Sequence, residues 1–343
     1  MEKLRNFRDR LINLIKAFPK SAALALVFLI FFSGYLAGNF QAASRLIKKN
    51  QESSQLRQKG SYKLVNPLLE CDFYNEGNFL RSKELEDKLK QVAEKMTDHY
   101  NVKHVSIYFR DLNNGPWLGY NEEEKFTPAS LLKVPIMMAY FKQAESDPEV
   151  LKKELVYKIS ADDARNFSNI EPAEKLENGK KYSIEKAIET MIRYSDNNAA
   201  NLLLREIDRS FLEKVYSDLM LPVPGKMGET ENFMTVKEYS SFFRILYNAS
   251  YLSREMSERA LRLLTFSDYR KGLVAGVPKD VLVAHKFGER RIDESTQLHD
   301  CGIVYNEQKP YLLCVMTRGG NLGLLEKVIS EISAKVWEEV KKP

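Results

Sequence analysis

The sequence predicts an α/β domain with an antiparallel sheet built from both ends of the domain, preceded by one N-terminal transmembrane helix. Strand-like runs at 105–109 and 117–120 flank a turn-forming Asn-Asn-Gly. Strand-like runs return only after residue 280, and the stretch between has helical periodicity. Strands at both ends with a helical block between them indicate one sheet joined to an all-helical subdomain. Residues 21–44, which predict the membrane helix, carry no charge.

Length and composition are those of a globular protein with few special features. The 343 residues suffice for one large domain or two small ones. The net charge of +5 is modest, and no basic, aromatic-interleaved run occurs in the main body, which argues against nucleic-acid binding. Three cysteines are too few for a disulfide framework, and four scattered histidines give a zinc site little support. We therefore expect no metal and no cofactor.

The N-terminal residues predict a signal anchor. Residues 1–20 are basic and have apolar residues at helical spacing, which fits either a helix on the inner membrane surface or a flank that only orients the anchor. The span 21–44 is long enough to cross a bilayer, and the positive-inside tendency places the rest of the chain outside. A cleaved signal peptide is the competing interpretation. We predict a single-pass cell-membrane protein with a polar linker at 45–64 and an extracytoplasmic domain at 65–343.

The elements of this domain follow from local patterns. Apolar residues at 85, 89, 92 and 96 predict an amphipathic helix before the first strand, and residues 113–115 predict the hairpin turn after it. Periodicity of 3.6 residues predicts further helices at 184–194, 199–207, 236–246 and 257–264. Strands are predicted at 281–286, 301–305 and 311–317, and a helix at 324–340 closes the chain.

A helix predicted over 131–141 is apolar on every side, with Lys133 as its only charge. Such a helix is buried, so the ammonium of Lys133 needs a specific partner or a depressed pKa. Ser130 follows a Thr-Pro pair that favours a helix start, three residues before Lys133, so both side chains share one helical face. A serine at a helix N-terminus beside a desolvated lysine is a candidate nucleophile.

Two later motifs distinguish this Ser-x-x-Lys pair from a chance occurrence of the pattern. The same pattern recurs at Ser183 and Lys186, where it fits a helix cap followed by a solvated lysine. Ser-Asp-Asn at 195–197 follows Ser130 of the first copy by 65 residues, and Lys-Phe-Gly at 286–288 begins 91 residues after Ser195. Ser-Asp-Asn alone would fit a helix cap, and Lys286 alone would fit an edge-strand lysine. All three motifs in this order and at these intervals resemble the active-site elements of the penicillin-interacting serine enzymes.

The domain also resembles class A β-lactamases in its length and strand-helix-strand order, which implies a β-lactamase/transpeptidase-like fold. In this resemblance Ser130 is the nucleophile that forms an acyl-enzyme, and Lys133 takes its proton with help from the charge of Lys286. Ser195 relays a proton to the leaving nitrogen and Asn197 holds the substrate amide, while Asp196 caps the next helix. The backbone amides of Ser130 and Glu289, the residue after Gly288, form the oxyanion hole.

The chain departs from the family pattern in two places. Phe287 stands where the family usually has Thr or Ser, so a hydroxyl that grips the substrate carboxylate is missing; Arg290 or Arg291 could replace it by position, or could be surface charge. The Glu-x-x-Leu-Asn of class A enzymes is also absent, and the loop before Met-Thr-Val at 234–236 is shorter than in that family. Glu229 and Glu231 are the remaining candidates for a deacylation base, and without a positioned base hydrolysis loses ~10²–10⁴-fold.

Acylation is therefore better supported than turnover. The preferred prediction is a membrane-anchored serine hydrolase that acts on β-lactam or D-alanyl-type substrates, with β-lactamase-type hydrolysis and slow deacylation. A D-alanyl-D-alanine carboxypeptidase or penicillin-binding protein acting on peptidoglycan stem peptides is the first alternative. A non-catalytic cell-wall binding protein is the second.

The cysteines and histidines carry two smaller predictions. If 306–309 is a hairpin turn, Cys301 lies opposite Cys314, close enough for a disulfide outside the cytoplasm, although two buried thiols and pairings with Cys71 remain open. A Ser-His-Asp triad through His299 and Asp300 is disfavoured, because Lys133 already fills the role of the base.

Overall fold

The computed structural model describes residues 62–67, 76–100, 102–113, 117–160, 169–224, 232–292, 294–306 and 309–341, together with Ser33. From residue 62 onward these belong to one compact unit, Arg57–Pro343. The predicted basic segment 1–20 and, apart from Ser33, the predicted membrane span 21–44 lie outside the described residues, as do Cys71, Glu229 and Glu231. Among the residues described, no helix combines the length and apolarity that crossing a membrane requires.

Nine strands are described in this part of the chain. Five of them form an antiparallel sheet in the order β2-β1-β9-β8-β7, so the sheet is built from both ends of the domain as predicted. Strands β3 and β6 form one two-stranded sheet, and β4 and β5 form another. The strands are β1 His104–Asp111, β2 Trp117–Tyr120, β3 Lys125–Phe126, β4 Glu154–Val156, β5 Lys181–Ser183, β6 Met234–Thr235, β7 Leu282–Ile292, β8 Ser295–Tyr305 and β9 Tyr311–Gly319.

Strands β7 and β8 are longer than the sequence predicts. Both run past the apolar stretch and pair out to Ile292 and Ser295, because their polar ends still find backbone partners across a tight hairpin. Cross-strand hydrogen bonding, and not side-chain pattern, sets where these strands end.

The helices account for most of the stretch between the two groups of strands. The described helices are α1 Glu76–Tyr100, α2 Lys133–Ala144, α3 Ile184–Arg193, α4 Asn197–Glu206, α5 Arg209–Asp218, α6 Val236–Asn248, α7 Arg254–Thr265 and α8 Leu322–Val340. Side-chain oxygens cap several N-termini; at α6, Thr235 and Glu238 form a reciprocal capping box. These caps satisfy amide groups that a helix start otherwise leaves without partners.

Both faces of the large sheet are buried, each in its own hydrophobic core. Ile107 and Phe109 point to one face, where they join apolar residues of α1 and α8. Tyr108, between them in β1, points to the other face and joins the core formed with α2 and the helical block. The period of two along a strand produces this division. Helix α2 is buried almost throughout, as its all-round apolar sequence predicts.

A disulfide joins Cys301 of β8 to Cys314 of β9, which are directly opposed in the register. The predicted pairing is confirmed. In the same row of the sheet, Lys286 of β7 lies opposite Cys301. The covalent link therefore ties β8, the neighbour of the lysine-bearing strand, to β9.

Candidate active site

Ser130 lies on a short 3₁₀ turn, Ala129–Leu132, which precedes α2. The prediction placed the start of a regular helix at Leu131, but the α-helix begins at Lys133. The backbone of Ala129 has φ of +51°, a left-handed conformation that L-residues adopt at a cost and that recurs at functional sites. The hydroxyl of the buried Tyr239 donates to the carbonyl of Leu131 at 3.0 Å and holds the turn in place.

Strand β7 passes directly beside this turn at Gly288. A Cβ atom there would lie 2.7 Å from the carbonyl oxygen of Pro128 and 3.0 Å from the nitrogen of Leu131. Glycine is therefore required for the strand to approach the Ser130 turn this closely. The approach places the residue that follows, Glu289, next to the turn.

Lys133 is 4% exposed, and four oxygen atoms surround its amine. The Nζ atom lies 3.0 Å from Ser130 Oγ, 2.5 Å from Ser195 O, 3.2 Å from Ser195 Oγ and 2.7 Å from Asn197 Oδ1. A neutral amine has two donors and one lone pair. Donation to Ser195 O and Asn197 Oδ1, the two nearest acceptors, leaves the lone pair of Lys133 for the hydroxyl proton of Ser130.

The Ser-Asp-Asn motif forms the junction between α3 and α4. Ser195 has φ of +59°, which turns the chain sharply after α3. Asp196 is buried and caps α4 by accepting from the amides of Asn198 and Ala199, and it also accepts from the amide of Leu176 at 3.0 Å. The predicted capping role of Asp196 is thus confirmed, and it fixes the loop that presents Ser195 and Asn197 to Lys133.

Lys286 belongs to the edge strand β7, yet its side chain is fully buried and is not a surface charge. Its ammonium donates to Ser195 Oγ at 2.8 Å and to the carbonyl of Phe287 at 2.8 Å. Ser195 therefore stands between two lysines, with Lys133 on its other side. The three motifs that the sequence places far apart meet around one hydroxyl.

Burial controls the charge state of both lysines. Desolvation lowers the pKa of Lys133 to about 7, against a smaller opposing effect of the negative Asp196. The pKa of Lys286 is also held well below its ordinary value, by desolvation and then by the charge of Lys133. Desolvation raises the pKa of Asp196, although its three backbone hydrogen bonds oppose the shift. Lys133 is thus able to accept a proton near neutral pH.

The second Ser-x-x-Lys pair has only a structural role. Ser183 caps α3 by accepting from the amide of Lys186 at 3.1 Å, and the Lys186 side chain pairs with Glu174 and Glu189 near the surface. The prediction of a cap followed by a solvated lysine is confirmed. Tertiary position, and not the motif, separates the two copies.

The site has the three elements that the resemblance requires, and the sequence as a whole matches the same group of proteins. Residues 84–340 match the Beta-lactamase enzyme family, well over half of the chain. The chain belongs to this family. The β-lactamase of Streptomyces albus G is 24% identical over 238 residues, which cover 62% of this chain and 72% of that protein. β-Lactamase 3 of Bacillus cereus is 23% identical over 246 residues, which cover 68% of this chain and 74% of that protein.

Solved structures of low sequence identity share the fold. A mutant of PBP-A, determined as an acyl-enzyme complex with penicillin G, has a TM-score of 0.63 at 21% identity and covers 76% of this chain and 97% of that chain. A β-lactamase from Chitinophaga pinensis has a TM-score of 0.63 at 18% identity and covers 74% and 100%. The α/β fold with a helical subdomain, predicted from the sequence, is that of the β-lactamase family.

The residues that follow Lys286 on β7 differ from the family pattern. Phe287 turns its ring under the sheet, where it stacks on Tyr269 with 4.2 Å between ring centroids. The carboxylate of Glu289 accepts from the backbone amide of Asn169 at 3.0 Å and from the Asn169 side chain. The side chains of Arg290 and Arg291 are exposed at the outer part of β7.

A buried hydrogen bond between a histidine of β7 and an aspartate of β8 was not predicted. His285 Nδ1 lies 2.8 Å from Asp300 Oδ1, and both side chains are buried. The other oxygen of Asp300 accepts from the amide of Leu273. His299, for which the sequence analysis disfavoured a catalytic triad, lies elsewhere. Its Nε2 atom is 3.0 Å from the carbonyl oxygen of Thr127, and burial lowers the pKa of His299 to about 4. The sequence offered no signal for a 285–300 pair.

A polar network connects the Ser130 turn to the segment before β6. Asn232 Oδ1 accepts from the hydroxyl of Thr127 and from the side-chain amide of Gln297, each at 2.9 Å. Gln297 in turn accepts from the amide of Thr127.

Within the described ranges, no group of three or more His, Cys, Asp and Glu side chains is arranged to hold a metal ion.

Proposed function

We propose that the chain is an acyl-transferring serine hydrolase, with Ser130 as nucleophile and Lys133 as general base. The observation that carries the proposal is the 3.0 Å contact between Lys133 Nζ and Ser130 Oγ, at a lysine whose pKa burial lowers to about 7. Ser130 and Ser195 are half-buried, whereas the two lysines behind them are buried. A substrate therefore meets hydroxyl groups, and the amines act through them.

Acylation follows from this arrangement. Neutral Lys133 takes the proton of Ser130 Oγ as that oxygen bonds to the carbonyl carbon of the substrate. The oxyanion is assigned to the backbone amides of Ser130 and Glu289, which the close approach at Gly288 supports. When the bond to the leaving group breaks, Ser195 supplies its hydroxyl proton and is reprotonated from Lys133 or Lys286, the two amines in contact with it.

Deacylation is the slower half of the proposed reaction. None of the hydrogen bonds described for Ser130 or Lys133 involves a carboxylate. Asp196 is occupied by three backbone amides. Glu229 and Glu231, the predicted candidates for the base, lie outside the described residues. A site without a positioned carboxylate loses ~10²–10⁴-fold in hydrolysis, so the acyl-enzyme is expected to persist.

The proposed substrates are β-lactams or D-alanyl-type amides, with β-lactamase-type hydrolysis preferred. The fold shared with a PBP-A mutant determined as a penicillin G acyl-enzyme supports a penicillin adduct. Because no described carboxylate contacts the catalytic pair, a D-alanyl-D-alanine carboxypeptidase, in which Lys133 and Ser195 serve both half-reactions, is the second candidate. A non-catalytic cell-wall binding protein is the third.

Labelling with a fluorescent penicillin and turnover of a chromogenic cephalosporin separate these functions. A covalent adduct that is lost in Ser130→Ala and retained in Ser183→Ala, the matched serine of the second motif, supports the proposed nucleophile. Rapid colour release that falls in Glu229→Gln or Glu231→Gln supports a β-lactamase. A stable adduct with slow colour release and hydrolysis of D-alanyl-D-alanine peptides supports the carboxypeptidase. The absence of both an adduct and colour release contradicts both enzymes.

We also propose that residues 21–44 anchor the protein in the cell membrane, with the basic N-terminus inside and the domain outside. The support is the uncharged apolar run after a basic segment. Full-length protein should stay with membranes after alkaline carbonate extraction and be cleaved by external protease in spheroplasts. Release into the medium as a shortened chain would instead support a cleaved signal peptide.

A further inference from the structure

Thr127, shortly before the proposed nucleophile in the chain, has each of its polar groups in contact with a side chain from a distant segment. Its amide donates to Gln297 Oε1 at 3.1 Å, and its hydroxyl donates to Asn232 Oδ1 at 2.9 Å. Its carbonyl oxygen lies 3.0 Å from His299 Nε2. Thr127 is only 8% exposed, so water does not readily replace a partner that is lost. We call Asn232, Gln297 and His299 the Thr127 clamp.

Backbone groups fix the direction of each hydrogen bond in the Thr127 clamp. A backbone amide only donates, so the Gln297 atom that meets it is the oxygen, and the other end of Gln297 donates to Asn232 Oδ1 at 2.9 Å. The Thr127 carbonyl only accepts, so His299 carries a hydrogen on Nε2. Burial lowers the pKa of His299 to about 4, which keeps this ring neutral near pH 7. The clamp therefore has one hydrogen-bonding arrangement at neutral pH.

The turn that carries Ser130 is also held at its other end. The hydroxyl of Tyr239 donates to the carbonyl of Leu131, and the amide of Leu131 donates to the carbonyl of Pro128 at 3.0 Å. Pro128 has φ of −67°, which its ring fixes. With both ends held and Pro128 rigid, Ala129 is the residue that has to adapt, and its φ is +51°.

A left-handed alanine persists where the surrounding structure imposes it. The penalty for an L-residue in this conformation corresponds to a population lower by roughly five- to thirtyfold. The contacts at the two ends of the turn are the constraints that offset this penalty. The direction of the Ser130 side chain depends on the backbone before it, so a relaxed Ala129 would turn Ser130 Oγ away from Lys133 Nζ, which lies 3.0 Å from it.

We infer that Asn232, Gln297 and His299 are positioning residues for acylation. Through the Thr127 clamp they keep Ala129 in its left-handed conformation, and this conformation aims the nucleophile at its base. The inference rests on the proposed acyl transfer to the serine of this turn. The hydrogen bonds of the clamp end on Thr127, so their effect on the chemistry passes through the turn.

Gln297→Leu tests the central residue of the clamp, because it removes both hydrogen bonds and keeps a side chain of similar size. Time courses of labelling with a fluorescent penicillin, at several concentrations, give the limiting acylation rate and the half-saturating concentration separately. We expect the limiting rate to fall by roughly five- to thirtyfold, the population penalty of a left-handed alanine. The half-saturating concentration should stay within about twofold, because Gln297 is buried and acts through the turn.

Ala129→Gly tests whether the clamp acts through the conformation of residue 129. Glycine adopts positive φ about as readily as negative φ, so a glycine turn without the clamp keeps about half of its population in the active conformation. In the Ala129→Gly background, Gln297→Leu should therefore slow acylation by only about twofold. Such non-additivity shows that the two residues act on one conformation.

Asn232→Leu and Asn232→Asp form a matched pair at the half-buried member of the clamp. Both variants lose the side-chain amide group, but aspartate keeps the oxygen that accepts from Thr127 and Gln297. The leucine variant should slow acylation by roughly the same five- to thirtyfold as Gln297→Leu, and the aspartate variant should recover most of the rate. This pair also decides the question if Gln297→Leu does not fold.

Ser333→Ala is the control for a general loss of stability. It removes a buried hydrogen bond to the carbonyl of Leu273 in the core on the other face of the sheet. It should lower the melting temperature and leave the limiting acylation rate as in the wild type. Circular dichroism checks that each variant is folded at the assay temperature.

The outcomes distinguish this inference from the proposed function. An adduct that is lost in Ser130→Ala establishes acyl transfer. If Gln297→Leu and Asn232→Leu then acylate at the wild-type rate, or if Ala129→Gly does not reduce the effect of Gln297→Leu, the positioning role is overturned and the function stands. A raised half-saturating concentration at an unchanged limiting rate would assign the clamp to substrate binding and also overturn that role. No adduct in the wild type, or an equal adduct in Ser130→Ala, overturns both proposals.

Discussion

Lowering the pH should switch off acylation by protonating Lys133. Desolvation lowers the pKa of this amine to about 7, and only the neutral form accepts the proton of Ser130. With that pKa, about 90% of Lys133 is neutral at pH 8, about 10% at pH 6 and about 1% at pH 5. The rate of adduct formation with a fluorescent penicillin should therefore fall roughly tenfold from pH 8 to pH 6 and about a hundredfold to pH 5.

The effect of Lys133 on protein stability does not interfere with this test, because it falls in a different pH range. The folded-state pKa of Lys133 lies below its ordinary value of 10.5, so between about pH 7 and 10.5 the unfolded chain binds more protons than the folded chain. The contribution of Lys133 to the free energy of unfolding therefore rises with pH only in that window. Below pH 7 its contribution is constant, and circular dichroism should find the fold intact at pH 6. A rate that is flat from pH 5 to 8, or an inflection near pH 4–5 as for a carboxylate base, would refute the role of Lys133.

Three further changes test the architecture of the site. Ser195→Ala removes the hydroxyl between the two lysines and should slow acylation by roughly 10²–10³-fold without loss of fold; an unchanged rate would exclude the proton relay. Gly288→Ala places a methyl group 2.7 Å from the Pro128 oxygen, so thermal denaturation should reveal a loss of about 1–3 kcal/mol together with slower acylation, and wild-type behaviour would contradict the required close approach. Replacing Cys301 and Cys314 by Ala should lower the free energy of unfolding by about 2–4 kcal/mol in denaturant titrations; intact mass that is the same with and without reductant would argue against the bridge.

Local patterns predicted the elements of the fold well because their signals lie within a few residues of each other. An apolar helix with a single lysine predicted a buried amine, and Lys133 is buried. Counting residues on both sides of the predicted hairpin turn placed Cys301 opposite Cys314, and the strand register has them opposite each other. The ends of β7 and β8 were less predictable, because strand length depends on backbone partners in another segment.

Two contacts between distant segments had no signal in the sequence. Asn169 and Glu289 are separated by 120 positions, and neither belongs to a motif. The His285–Asp300 pair was equally hidden, since His299 is the histidine adjacent to Asp300 in the chain but adjacent strand residues point to opposite faces. Such pairs depend on strand register and on loop position, which local patterns do not specify.

The sequence by itself determined which residues are able to perform the chemistry: a serine beside a lysine in an apolar helix, a second serine at a helix junction, and a lysine before a glycine that permits close approach. Only the tertiary structure decided how they act. It brings Lys133 and Lys286 to opposite sides of the Ser195 hydroxyl and removes both amines from water. The identical Ser183/Lys186 spacing remains a solvated cap because its lysine reaches the surface. Desolvation is a property of the folded surroundings: it lowers the pKa of the lysine in one copy of the motif, whereas the lysine of the other copy forms salt bridges near the surface.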